Sequence, residues 1–223
     1  DIAEPRNAVN QWLQADMTDP AAIAALPLSG PFDCLINAAG LPPRAGLEVK
    51  ILALNFLGLR QLTERVMPMM SDGAAMVHIA SKAGAKWREN VPQIQRLMAL
   101  NGPEGLAAFI EAEQIDPVRA YDLSKEAVIY WTKAETRRLQ DQGLRANTVS
   151  PAAIDTGILE DFVTAFGPRA EKGIALMGRP GTTEEVAEVC AFLAQPQSRW
   201  VKGIDIPVDG GLDAMLETMA LTG

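Results

Sequence analysis

One histidine and two cysteines among 223 residues leave little with which to build a metal centre or staple a fold. A structural zinc site takes about four nitrogen, sulfur or carboxylate ligands, and no such set is clustered along this chain, so no metal is expected. Cys34 and Cys190 could pair at most once. Both lie in apolar runs, FDCLI and AEVCAFL, where buried free thiols are common. Long apolar stretches are also lacking: the longest run without a charged residue, Pro20 to Phe32, has 13 residues and three prolines. That is too short and too broken for a bilayer span of about 20 residues, so no membrane segment is expected. There is no basic excess either, because 20 Lys and Arg face 28 Asp and Glu for a net charge of −8. Without a basic stripe to neutralise phosphates, nucleic acid is a poor partner and small molecules a better one. The first residues, DIAEPRNAVN, carry neither the basic flank nor the apolar core of a signal peptide. A cytoplasmic setting is the expectation.

What remains, 48% hydrophobic and 22% charged residues, suits one large globular domain. Short apolar runs read as strands: WLQADM, FDCLINAAG, AAMVHIAS, LRANTVSPA and IDIPVDGG. Between them the pattern predicts helices over Ala21 to Leu26, Glu48 to Met70, Tyr121 to Gln142 and Thr183 to Ala194. Alternation of this kind implies a parallel sheet covered on both faces, with ligands bound at the carboxyl ends of its strands. Asp16, Asn37 to Gly40, Ser81 and Ser150 to Thr156 follow such ends. Residues 86–120 interrupt the rhythm with two helical pieces, PQIQRLMAL and PEGLAAFIEAE. Packing on the parent domain, a substrate lid and a subunit contact are all open readings of this segment.

The strongest local signal is Tyr121-Asp-Leu-Ser-Lys125 at a helix start. Spacing i, i+4 sets a phenol and an ammonium on one face. A tyrosine must lose about three pKa units to act as a base near neutrality, and a neighbouring cation works in that direction. Ser81 closes an apolar strand, where its hydroxyl could hold a substrate oxygen. Asn55 sits in ILALNFLGL, where a buried amide must find partners. Its bland role is a satisfied core amide, and its functional role an anchor for a water chain to Lys125.

With these four residues in order, the chain resembles the short-chain dehydrogenase/reductase family along its whole length. The Asn37-Ala-Ala-Gly40 turn, the Ser150-Pro-Ala-Ala-Ile-Asp-Thr156 loop and the Val208-Asp-Gly-Gly211 ending fit the same pattern. The long gap from Ser81 to Tyr121 and the Ser198 to Gly211 ending are similar to the group of coniferyl-alcohol dehydrogenases and 3α-hydroxysteroid dehydrogenase/carbonyl reductases. The resemblance implies an α/β fold, a Rossmann-type doubly wound parallel sheet, as a single domain over 1–223 with a helical insertion at 86–120. It implies Tyr121 as acid/base, Ser81 as holder of the reacting oxygen, Lys125 as ribose ligand that depresses the tyrosine pKa, and Asn55 as the end of a proton relay. Cofactor contacts fall to Asp16, Met17, Asn37, Ala38, Gly40, Tyr121, Lys125, Pro151, Ile154 and Thr156. Ala152 replaces the family's usual glycine in the last of these loops, and Ala38 a common second asparagine.

The family's glycine-rich pyrophosphate loop has no counterpart here. Asp1-Ile2 resembles the end of the family's second strand, so roughly 30 to 40 residues, one opening β-α-β portion, are expected to be missing from the chain. Asp1 would then receive the adenosine ribose hydroxyls, favouring NAD over NADP. The implied activity is an NAD-dependent interconversion of alcohol and carbonyl on a ring-bearing substrate, a coniferyl-type aryl alcohol first and a 3α-hydroxysteroid next. Leu97, Met98, Phe109 and Met177 are the expected apolar lining, and Trp87, Trp131 and Trp200 either pack or flank the pocket. A homodimer or homotetramer is expected, and a non-catalytic dinucleotide-binding scaffold is the alternative.

Overall fold

The computed structural model describes Ile2, Glu4 and residues 10–222. Asp1 lies outside the described residues. Four parallel strands make the sheet in the order β1 (Phe32–Asn37), β2 (Met70–Ile79), β3 (Arg145–Pro151) and β4 (Asp205–Val208). The helices are α1 (Pro20–Ala25), α2 (Glu48–Leu52), α3 (Leu59–Val66), α4 (Val91–Met98), α5 (Leu106–Ala112) and α6 (Pro117–Ala134). They continue with α7 (Thr136–Asp141), α8 (Leu159–Phe166), α9 (Pro168–Met177), α10 (Thr183–Ala194) and α11 (Leu212–Thr222). Because successive side chains of a strand point to opposite faces, Met76 and Val77 join different clusters. Met76 packs with Leu139, Leu144 and Ala146, whereas Val77 packs with Val149, Cys190 and Leu193 beneath α10. Both faces are thus covered, as a parallel sheet requires.

The WLQADM strand is a correction. Residues 11–16 form no strand among the described residues, because a strand exists only through a ladder and this segment lies outside the four-stranded one. The long helix expected from Glu48 to Met70 is divided by a π-helical turn at Ala53–Gly58, and its last residues form a 3₁₀ turn at Met67–Met69. The helix expected from Tyr121 begins one turn earlier, at Pro117, with Asp116 accepting from Arg119 N at 2.7 Å as its cap. Helices α8, α9 and α11 had no counterpart in the sequence reading.

Helices α4 and α5 pack on their own chain. Ile94, Leu97 and Leu106 are fully buried with Ile51, Leu52 and Leu123. Arg60 seals the joint by donating to Met98 O at 2.8 Å and Leu100 O at 2.7 Å. Leu97 is therefore a core residue, and Met98 and Phe109 pack against that core, so this part of the expected pocket lining is not formed. Trp131 is buried between Phe56 and His78, while Trp200 is 91% exposed and packs as neither core nor pocket wall.

His78, on β2, is a buried structural group. Its Nδ1 is paired at 2.9 Å with Asn37 Nδ2, and burial pushes its pKa down to about 4. The π-helical turn is held by a close backbone approach at Gly58, where a Cβ would fall 2.0 Å from Met17 O. An alanine gains about 1 kcal/mol of helix propensity, but overpacking against a fixed carbonyl costs about 1–3 kcal/mol or more. Gly58→Ala should therefore lower the unfolding free energy in urea by about 2 kcal/mol. Equal or higher stability would contradict this packing.

Candidate active site

Every expected catalytic side chain lies at the carboxyl end of β2 or on the helices beside it. Ser81 ends β2 in extended backbone and caps the following 3₁₀ turn, its Oγ accepting from Ala83 N at 3.2 Å. Its hydroxyl lies near enough to the Tyr121 phenol to favour the ionised form of that group. Tyr121 and Lys125 face inward from α6 and are only 6% and 5% exposed. Lys125 Nζ lies 5.7 Å from the Tyr121 ring centroid and donates to Ile79 O at 2.9 Å. Phenol, hydroxyl and ammonium are thus brought together by one strand end and one helical face.

Burial adds to the electrostatics of the pair what spacing does not show. The Tyr121 phenol is held well above its usual pKa, first by burial and then by the adjacent Asp122 carboxylate, with the Ser81 hydrogen bond acting in the opposite direction. Lys125 is itself pushed down to about 8 by burial. Both groups have lost their solvation, so in the protein alone desolvation outweighs the attraction that the i, i+4 spacing suggested. Asp122 is raised to about 6, again chiefly by burial.

Asn55 lies in the π-helical turn and is fully buried. Such turns frequently mark functional positions. Its Oδ1 accepts from Leu41 N at 2.8 Å, and its Nδ2 donates to Leu41 O at 3.1 Å and Ser124 Oγ at 3.2 Å. Ser124 Oγ donates in turn to Tyr121 O at 2.7 Å. The side-chain amide thereby ties the loop after β1 to the catalytic helix.

The expected cofactor contacts spread along the same sheet edge. Asp16 is exposed, and its Oδ1 accepts from Thr18 N and Oγ1 at 2.8 Å each, which lowers its pKa. Met17 is half-buried beside Gly58. Asn37 points its amide inward to Thr63 and His78, leaving its backbone with Ala38 and Gly40 on the exposed turn. Pro151 ends β3, Ile154 bridges to Gly181, and Thr156 Oγ1 donates to Ile154 O at 3.5 Å.

A nicotinamide dinucleotide fits these residues on one direct observation. A Cβ on Gly40 would come within 3.4 Å of Asn55 Oδ1 and 3.7 Å of Lys125 Nζ, so the glycine keeps the approach to a buried ammonium open. An ammonium carries three donors, and Ile79 O takes one. Vicinal ribose hydroxyls suit the others.

Sequence reasoning missed the groups around this triad. Phe162 and Phe166 meet the Tyr121 ring edge-on at 5.1 and 6.1 Å. Arg169 reaches Asp122 at 3.3 Å, Arg44 holds Asp161 through two bonds at 2.9 and 2.6 Å, and Lys82 pairs with Asp213. The i, i+4 spacing of the two phenylalanines was the available signal.

The chain is similar to proteins of known family. The family model described as "Enoyl-(Acyl carrier protein) reductase" matches residues 93–213. A coniferyl-alcohol dehydrogenase of Pseudomonas sp. is 33% identical over 93% of this chain and 83% of its own length. A 3-alpha-hydroxysteroid dehydrogenase/carbonyl reductase of Comamonas testosteroni is 29% identical over 82% of this chain and 74% of its own. Among solved structures, the 3-alpha-hydroxysteroid dehydrogenase of Pseudomonas sp. B-0831, complexed with NADH, superposes with a TM-score of 0.76 at 26% identity, covering 92% of this chain and 85% of that one.

The buried lysine gives a pH test. Its folded pKa of about 8 lies below the reference 10.5, so between those values the unfolded chain binds more protons and stability rises with pH. Relative to Lys125→Met, the wild type should gain stability in urea titrations as the pH rises from about 8 to 10.5. A constant difference across that window would contradict the burial of a charged ammonium.

Proposed function

The chain belongs to the short-chain dehydrogenase/reductase family, and from that premise we propose that it oxidises a ring-bearing alcohol with NAD, or reduces the matching carbonyl, using Tyr121 as acid/base. The family supplies the coarser facts: an oxidoreductase of CH–OH groups whose cofactor is a nicotinamide dinucleotide. When bound, the oxidised nicotinamide supplies the two-electron acceptor and a second positive charge.

The remaining steps belong to this chain. The Ser81 hydroxyl, beside the phenol, holds the substrate oxygen, and Tyr121 exchanges the proton with that oxygen. In the reducing direction the neutral phenol is the acid, and burial keeps it in that form. In the oxidising direction it must accept a proton, so its pKa must fall against the desolvation. Lys125 holds the ribose and contributes one cation to that fall. Asn55 fixes the entry loop to the helix and ends the relay that returns the proton to solvent. The contact of Ser81 with a buried phenol beside a buried ammonium is the observation that carries this reading, because a scaffold that only binds dinucleotide has no need of it.

Cofactor choice and substrate are the finer parts. NAD is supported by Asp1 in the sequence and by the NADH complex of the similar hydroxysteroid dehydrogenase. An aryl alcohol is supported by the 33% identity to the coniferyl-alcohol dehydrogenase and by the phenyl rings around Tyr121. The 3α-hydroxysteroid is the second choice. The working form is a cytoplasmic homodimer or homotetramer.

Tyr121→Phe should lower turnover by about 10²–10⁴-fold while dinucleotide binding persists. Retained turnover would end the acid/base reading. Rates with NAD should exceed those with NADP, and rates on aryl allylic alcohols those on 3α-hydroxysteroids. The reverse order in either comparison would overturn that choice.

A further inference from the structure

Helices α8 and α9 bring to Tyr121 a set of groups that the proton exchange itself does not use. Phe162 and Phe166 stack in parallel, with centroids 6.2 Å apart and planes 4° apart. Both present their faces or edges to the Tyr121 ring in T-shaped contacts. These rings account for the low exposure of a phenol that must reach a substrate. Arg169, in the first turn of α9, lies 5.0 Å from the Phe166 ring centroid and donates to Asp122 Oδ2 at 3.3 Å. Asp122 follows Tyr121 directly in the chain, and its Oδ1 is buried without a hydrogen-bond partner. Gly167, at φ 51° and ψ −129°, breaks the path between the two helices, so that Phe166 and Arg169 converge on one point of α6. That backbone conformation favours glycine.

Resting on the reading of Tyr121 as the acid/base, we infer that Phe162 and Phe166 are specificity-determining residues that select a flat aromatic substrate, and that the Arg169–Asp122 pair is the latch that seats them on the catalytic phenol. The chemistry follows from ring geometry. Phenyl groups recognise another aromatic ring through offset or edge-on contact, which a saturated ring of the same size cannot return in full. Arg169 is the positioning residue, because it acts on Tyr121 through Asp122 and Phe166. Its side chain is 57% exposed, against 16% for Asp122, so the guanidinium can be removed from the surface side.

The test compares aryl allylic alcohols with their cyclohexyl analogues in the full-length enzyme. Two lost aromatic contacts should reduce the kcat/KM ratio of aryl to cyclohexyl substrate by about tenfold in Phe162→Leu/Phe166→Leu, which keeps an apolar cover. The single leucine variants give the same reading in smaller steps should the double variant fold poorly. Arg169→Ala should raise KM for the aryl alcohol more than it lowers kcat, and should speed amide hydrogen exchange in residues 159–177 but not in α6. Arg169→Lys should restore part of that protection. An unchanged substrate ratio in the leucine variants, or unchanged exchange in Arg169→Ala, overturns the inference. Undiminished turnover in Tyr121→Phe would instead overturn the acid/base reading on which it rests.

Discussion

Desolvation of Tyr121 and Lys125 is the constraint around which the site is arranged. Both side chains leave solvent on one face of α6, and each is driven toward its neutral form, the phenol upward and the ammonium down to about 8. A buried phenol is a poor base and a well-loaded acid. Whatever makes it a base must come from charge delivered into the same pocket, where low dielectric amplifies every interaction. With Tyr121 as the proposed acid/base, catalysis becomes a competition between burial and added positive charge at a single oxygen.

The fold supplies the participants from three places. Ser81 follows β2, α6 carries Tyr121 and Lys125, and the π-helical turn offers Asn55 to the loop after β1. That loop is joined to the cover by Arg44 and Asp161, and the catalytic helix by Asp122 and Arg169. Lys82, next to Ser81, meets Asp213 of α11. Ion pairs with a solvent-exposed partner, such as Arg44–Asp161, contribute little to global stability. Their value lies in where they place the aromatic cover.

Much of this arrangement was legible in the sequence. Four of five strands could be read from short apolar runs bounded by turn residues, and the polar groups at their ends lie along the sheet edge where Ser81, Tyr121 and Lys125 meet. Tyr121, Lys125, Ser81 and Asn55 could be named because each is unusual for its surroundings: a motif on a helix, a hydroxyl closing a strand, an amide in an apolar run. WLQADM has the composition of a strand, but pairing is not a local property. The segment carrying α8 and α9 was unreadable for a related reason. Its helices are short and separated by Gly167-Pro168, and Phe162 and Phe166 find their partner at Tyr121, some 40 positions away in the chain. Spacing shows the cation beside Tyr121 and not the depth of burial that holds the phenol's pKa up in the protein alone. Leu97 was misplaced similarly, since its helix turns that side chain into the core.

Tyrosinate absorbance reports on the Tyr121 phenol itself, because the chain has only two tyrosines. In a Tyr130→Phe variant every signal comes from Tyr121, which can be titrated with and without saturating oxidised dinucleotide. The phenol should resist ionisation in the protein alone and ionise at distinctly lower pH with the dinucleotide present. A phenol that titrates at the ordinary tyrosine value in both samples would contradict it.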